Sequence, residues 1–155
     1  MIMINDKPKI AFAYATFVRE GMSDAGPFTP NLGLQVDEFP FDLKFYVTAG
    51  LILNSQRAYS FDVDVFYDGQ SLIPDFVPAI DTKLMGTAVS SRDDFIAIST
   101  TLLSDVTVKE EGLYTIKVLL YSGGAESSDR NLIETYECFF VLAKNWLPTS
   151  MTKKS

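Results

Sequence analysis

The chain has 155 residues, 47% hydrophobic and 13% aromatic, and 20 acids against 13 bases leave a net charge of −7. A chain of this length forms one domain and buries about 70% of the surface its unfolded form exposes, so it needs no disulfide or metal to fold. The excess acid repels phosphate backbones and anionic lipids, which argues against nucleic-acid and membrane-surface partners.

The imbalance is local. From Met22 to Asp81 there are nine acids (Asp24, Asp37, Glu38, Asp42, Asp62, Asp64, Asp68, Asp75, Asp81) and two bases (Lys44, Arg57). Cys138 is the one cysteine, so no intramolecular disulfide forms, as in a reducing compartment. The opening M-I-M-I-N-D-K-P-K-I places Asp6 and Lys7 where a signal peptide keeps its apolar run. No apolar stretch reaches the length of a membrane-spanning helix. The expected location is cytoplasmic.

Strand signals dominate along the chain. Pro8 to Val18 alternates, with Ile10, Phe12, Tyr14, Thr16 and Val18 on one face and Ala11, Ala13 and Ala15 on the other. Glu20 to Pro30 reads as a loop, broken by Gly21, Gly26, Pro27 and Pro30. Leu32 to Phe39 gives a short strand. Leu43 to Leu53 puts Leu43, Phe45, Val47, Ala49 and Leu51 on one side. Tyr59 to Tyr67 sends Phe61, Val63, Val65 and Tyr67 one way and Ser60, Asp62, Asp64 and Phe66 the other. Asp68-Gly69 then turns the chain, because both central residues of a tight hairpin turn need positive φ. A short return strand, Gln70 to Ile73, stops at Pro74. Pro74 to Thr82 is irregular, Leu84 to Val89 reads as an edge strand, and Phe95 to Leu103 as a further strand before a turn region from Asp105 to Gly112. Leu113 to Tyr121 and Leu132 to Leu142 are strands joined by a flexible hairpin tip, Ser122 to Asn131, too polar and Gly-rich to pack. The sandwich is expected over residues 1–145, with 146–155 a flexible tail in which Trp146 either caps the barrel end or docks elsewhere.

Seven to nine strands at this spacing, with no helical periodicity, predict a single-domain antiparallel β-sandwich. The stretch E-G-L-Y-T-I-K-V, with Gly112 and Tyr114, resembles the tyrosine-corner strand of immunoglobulin-like domains. There a glycine turn precedes an inward tyrosine whose hydroxyl bonds back to the main chain. Ile116 stands where those domains usually carry a cysteine. Together with the opening A-Y-A-T-F-V-R-E-G (Ala13 to Gly21), the late G-x-Y strand is similar to a family of small bacterial β-sandwich proteins. That resemblance implies a sandwich and no established activity.

The chemistry is sparse. The chain has no histidine, which removes histidine-based triads, histidine-ligated metals and the commonest general base near neutral pH. A single cysteine makes no Cys-rich metal site. Gly123-Gly124 lacks the spacing and the following lysine of a phosphate loop, and no G-x-S-x-G occurs. No residue is therefore assigned a catalytic or cofactor-binding role. Asp62 and Asp64 lie roughly 7 Å apart on one strand face, and with Asp68 they could offer oxygens to Ca²⁺, joined by Asp93, Asp94 or Asp129 from loops. The plainer expectation is a solvated face whose acids deter edge-to-edge pairing. Two carboxylates at about 5–9 Å also suit glycoside hydrolysis, but these lack an apolar pocket to raise an acid's pKa. Tyr46, Phe66 and Tyr121 are candidate rings for a carbohydrate platform. Cys138, among Tyr136, Phe140 and Leu142, reads as a small buried hydrophobe.

The reading with most support is a non-enzymatic, protein-binding or self-assembling sandwich, an accessory, structural or inhibitory protein of a phage or bacterial mobile element. Its expected contact loops are Glu20–Pro30 and Pro74–Asp94. The alternatives are a Ca²⁺- or carbohydrate-binding module and a carboxylate-based hydrolase.

Overall fold

Period-two burial builds the long central strands. In β3 (Phe41–Asn54) Leu43, Phe45, Val47, Ala49, Leu51 and Leu53 are buried, and in β4 (Tyr59–Tyr67) Phe61, Val63 and Val65 are. Two such half-apolar faces can leave water only by packing on each other. The computed structural model describes residues 8–23, 25–54, 56–73, 80–81, 86–88, 94–125 and 128–145. The segment 146–155 and most of Pro74–Asp94 lie outside them.

The described residues contain no helix. Besides β3 and β4 they form β1 (Lys9–Phe17), β2 (Gly33–Val36), β5 (Gln70–Ser71), β6 (Ile80–Asp81), β7 (Gly86–Ala88), β8 (Asp94–Val108), β9 (Gly112–Ser122) and β10 (Asn131–Lys144). The first sheet has the order β1-β3-β8-β7, and the second the order β2-β10-β9-β4-β5, with β6 also on β4. The chain is therefore an all-β protein of two sheets, with the expected edge strand in place as β7. Asp68 and Gly69 take φ of 51° and 79° at the β4–β5 hairpin.

Four sequence expectations need correction. The sandwich is not wholly antiparallel: β2 runs parallel to β10, with Leu34 opposite Leu142. A four-residue strand carries no signal that names its partner. The faces of β1 are also reversed beyond Ile10. A bulge between Ile10 and Phe12 shifts the register, so Ala13, Ala15 and Phe17 enter the core while Phe12 and Tyr14 face out. The Phe12 ring then lies across Gly50, where a Cβ would collide with it. β8 does not end at Leu103. A second irregularity, opposite Leu43 and Phe45, carries it on through Asp105, at φ 58°, to Val108. Finally, the β9–β10 tip is not free of packing, because Arg130 folds onto the second sheet.

The core is aromatic at one end. Phe140 lies 5.3 Å from Phe17, 5.5 Å from Phe45 and 5.3 Å from Tyr114 between ring centroids, so one ring joins both sheets. The edge of β1 is covered rather than open. Its Ile10 N–H donates to the Glu134 carboxylate of β10, Phe17 N–H donates to Asn31 Oδ1, and Asn31 N–H donates to the Ala15 carbonyl. Pairing its amides this way blunts a surface that would otherwise template aggregation.

Candidate functional site

Two tyrosines organise the end of the sandwich where β8 turns into β9. Tyr114 is fully buried, and its hydroxyl donates to the Glu110 carbonyl at 2.6 Å, the bond expected from the G-L-Y pattern. Tyr67 stacks on it at 4.5 Å and donates its own hydroxyl to the Glu111 carbonyl at 2.8 Å. Gly112 sits beneath Tyr67 at φ 139°. Desolvation pushes both phenols above their usual pKa. The Glu110 and Asp68 carboxylates add to the rise at Tyr67, and the bond to the Glu110 carbonyl partly offsets it at Tyr114. A cleft of about 240 Å³ opens beside them, lined by Gln70, Leu72, Thr107 and Lys109. It is shallow, and its tyrosine hydroxyls already donate to the main chain, which leaves them to hold the turn.

The candidate metal ligands are not brought together. Asp62 forms an ion pair with Arg130 at 3.2 Å, and Arg130 Nε also donates to Ser60 Oγ at 2.8 Å. Ser60, fully buried, donates its own hydroxyl to the Gly123 carbonyl at 2.9 Å. Asp64 instead accepts from Ser71 Oγ at 2.6 Å and from the Val65 N–H at 2.8 Å. Asp68 belongs to the hairpin turn. Among the described residues, no three of His, Cys, Asp and Glu cluster as metal ligands. These acids act as ties: Asp62 anchors the β9–β10 tip, and Asp64 anchors β5.

The candidate sugar-binding rings are each covered by a neighbour. Phe28 packs on Tyr46 at 4.6 Å, the Lys117 ammonium sits 4.6 Å over Phe66, and the Arg130 guanidinium 4.0 Å over Tyr121. Sequence reasoning missed both cations. The signal was there, since Lys117 and Arg130 fall beside outward aromatics once the strands are paired. Cys138 is half-buried against the core, and burial pushes its thiol up to about 11, which keeps it protonated and inert at neutral pH.

The Glu20–Pro30 loop, expected to make contacts, is folded back on the first sheet. Tyr14 donates to the Phe28 carbonyl at 2.8 Å and Thr16 to the Thr29 carbonyl at 2.6 Å. What remains exposed and apolar lies on the sheets. On the outer side of the second sheet Leu113, Phe139 and Val141 are about half exposed, with Val141 directly opposite Leu113. They border the Lys117–Glu137 ion pair, at 3.6 Å. On the outer side of the first sheet Phe12, Ile52, Ile98 and Leu102 are exposed.

No helix among the described residues is long and apolar enough to cross a membrane. No protein-family model matches the chain, and no curated protein matches it in sequence.

Proposed function

We propose that the chain is an immunoglobulin-like sandwich that works without catalysis, by binding another protein through a sheet face. The strand orders support the first part. β1-β3-β8-β7 corresponds to A-B-E-D, and β10-β9-β4-β5 to G-F-C-C′, with β2 a further strand beyond G. Tyr114, at the start of the F-equivalent strand, makes the corner bond to Glu110. Phe17 and Phe45 of the first sheet pack with Phe140 of the second, so aromatic rings join the two sheets without a disulfide.

The observation that carries the binding reading is the apolar group Leu113, Phe139 and Val141 on the outer side of the second sheet, bounded by charge at Lys117 and Glu137. An apolar centre with a polar rim is how recognition surfaces are built. Asp62 and Glu137 on that side are paired with Arg130 and Lys117, so its rim offers both signs of charge to a partner. The test is capture from host lysate by the tagged chain, with Phe139→Asp as comparison. A partner held stoichiometrically by the wild type and lost by a folded Phe139→Asp supports the reading. Equal capture by both refutes it.

A further inference from the structure

Among the described residues, the middle of the outer side of the first sheet differs from the rest of this acidic surface, because it carries no charge. The outward positions are Phe12, Tyr14 and Thr16 on β1, Tyr46, Thr48, Gly50 and Ile52 on β3, and Ile96, Ile98, Thr100 and Leu102 on β8. None carries a carboxylate, ammonium or guanidinium, in a chain of net charge −7. The charged residues of these strands, Lys9, Asp42, Lys44, Asp94 and Asp105, lie toward their ends. The folded-back loop occupies the Thr16–Tyr46 end. The remainder is open: Ile98 is 63% exposed and Ile52 45%. Its floor is flat, made of Gly50 under Phe12 and of Thr48 and Thr100, whose hydroxyls bond at 3.2 Å.

We propose that this face binds the same face of a second copy, forming a closed two-fold dimer. In such a contact each residue meets its own equivalent or a near neighbour, so any net charge near the axis would oppose itself. An uncharged face meets that condition, whereas the outer side of the second sheet carries Asp64 and two ion pairs, Asp62–Arg130 and Lys117–Glu137, whose fixed signs would have to be matched across the axis. Stacked sheets lie about 10 Å apart. The acids on the two second sheets would then be separated by about 30 Å, several screening lengths of about 8 Å at physiological salt. The dimer therefore keeps like charges apart that almost any other self-contact would bring together.

The strands of the first sheet run 9, 14, 15 and 3 residues, which gives a face of roughly 650 Å² by strand spacing and rise, part of it under the folded-back loop. That is smaller than the about 800 Å² a stable interface takes from each partner, so a weak, micromolar dimer is expected. The apolar patch supplies the dry centre, and Asp42, Lys44 and Lys9 belong to the rim.

The test is sedimentation velocity on the full chain at concentrations up to about 0.1 mM, where any Kd tighter than tens of micromolar shows as mostly dimer. The expected mass is twice the 17.2 kDa of one chain. Ile98→Glu, at an exposed position, places two carboxylates near the axis and should weaken association at least about 100-fold with an unchanged circular dichroism spectrum. Leu102→Glu serves in its place if Ile98→Glu does not fold. Phe139→Glu, on the other sheet, should leave the dimer intact. A monomeric wild type overturns the proposal, as does a dimer that survives Ile98→Glu or Leu102→Glu or that is broken by Phe139→Glu. A mass above the dimer overturns the closed two-fold form. None of these outcomes touches the lysate test, which depends on Phe139.

Discussion

Replacing Gly112 by alanine strikes the corner at two levels, backbone and contact. Its φ of 139° is one that side-chain-bearing residues rarely adopt, and a Cβ there would meet Tyr67 Cε1 at 3.0 Å and Oη at 3.1 Å. The ring has little room to retreat, being stacked on Tyr114 and bonded to the Glu111 carbonyl. Backbone strain of this kind costs about 1–3 kcal/mol. The forced contact adds about 1–3 kcal/mol as overpacking. Gly112→Ala should therefore lose about 2–6 kcal/mol, a large share of the 5–15 kcal/mol typical of a domain. Urea unfolding followed by circular dichroism measures it, as a lower midpoint at unchanged slope. In a Tyr67→Ala background only the backbone part remains, so the same change should cost about 1–3 kcal/mol less. A loss below about 0.5 kcal/mol in the wild type would refute the requirement for glycine. Additive losses in the double variant would refute the ring contact.

Three further outcomes are expected. Arg130→Ala removes an ion pair, a hydrogen bond to Ser60 and a ring contact. It should cost about 1–2 kcal/mol and speed hydrogen exchange at the Gly123 amide, and unchanged exchange would mean that the tip is held otherwise. Cys138, with its thiol at about 11, should react with iodoacetamide at pH 8 roughly 100-fold more slowly than a free thiol, and parity would contradict its burial. Tyr67 and Tyr114 have raised pKa values in the folded state. The unfolded chain therefore releases these protons first, and stability present below about pH 10 falls as pH climbs beyond it. Urea midpoints across that range should fall less steeply for Tyr114→Phe than for the wild type, and parallel curves would contradict the assignment.

How much of this was legible in the sequence depended on whether a signal was local. The strands around Phe45 and Val63 were readable because strict alternation over many residues admits one buried face. The corner was readable because one glycine and one tyrosine at fixed spacing set both the turn and the bond. The inner face of β1 was not. A single bulge after Ile10 reverses every later side chain, and no residue type announces it. The parallel pairing of β2 was hidden because partner choice is decided by distant residues. The role of Asp62 was hidden for the same reason: Arg130, which answers it, is 68 positions away.

β2 and the amide of Ile10 have a consequence for the order in which the molecule can be made. Both are early in the chain, and both are completed by β10, the Ile10–Glu134 bond closing a separation of 124 residues. Phe140, which joins the aromatic rings of the two sheets, arrives on that same strand. During synthesis the first strands must therefore wait for the last, with Phe17 and Phe45 lacking their common neighbour until residue 140 has emerged. Such long-range closure makes folding slow and late rather than progressive. β1 and β3 can pair before then, but the growing chain would carry β2 unpaired and its aromatic end incomplete for most of its translation, which makes it a natural client for chaperones.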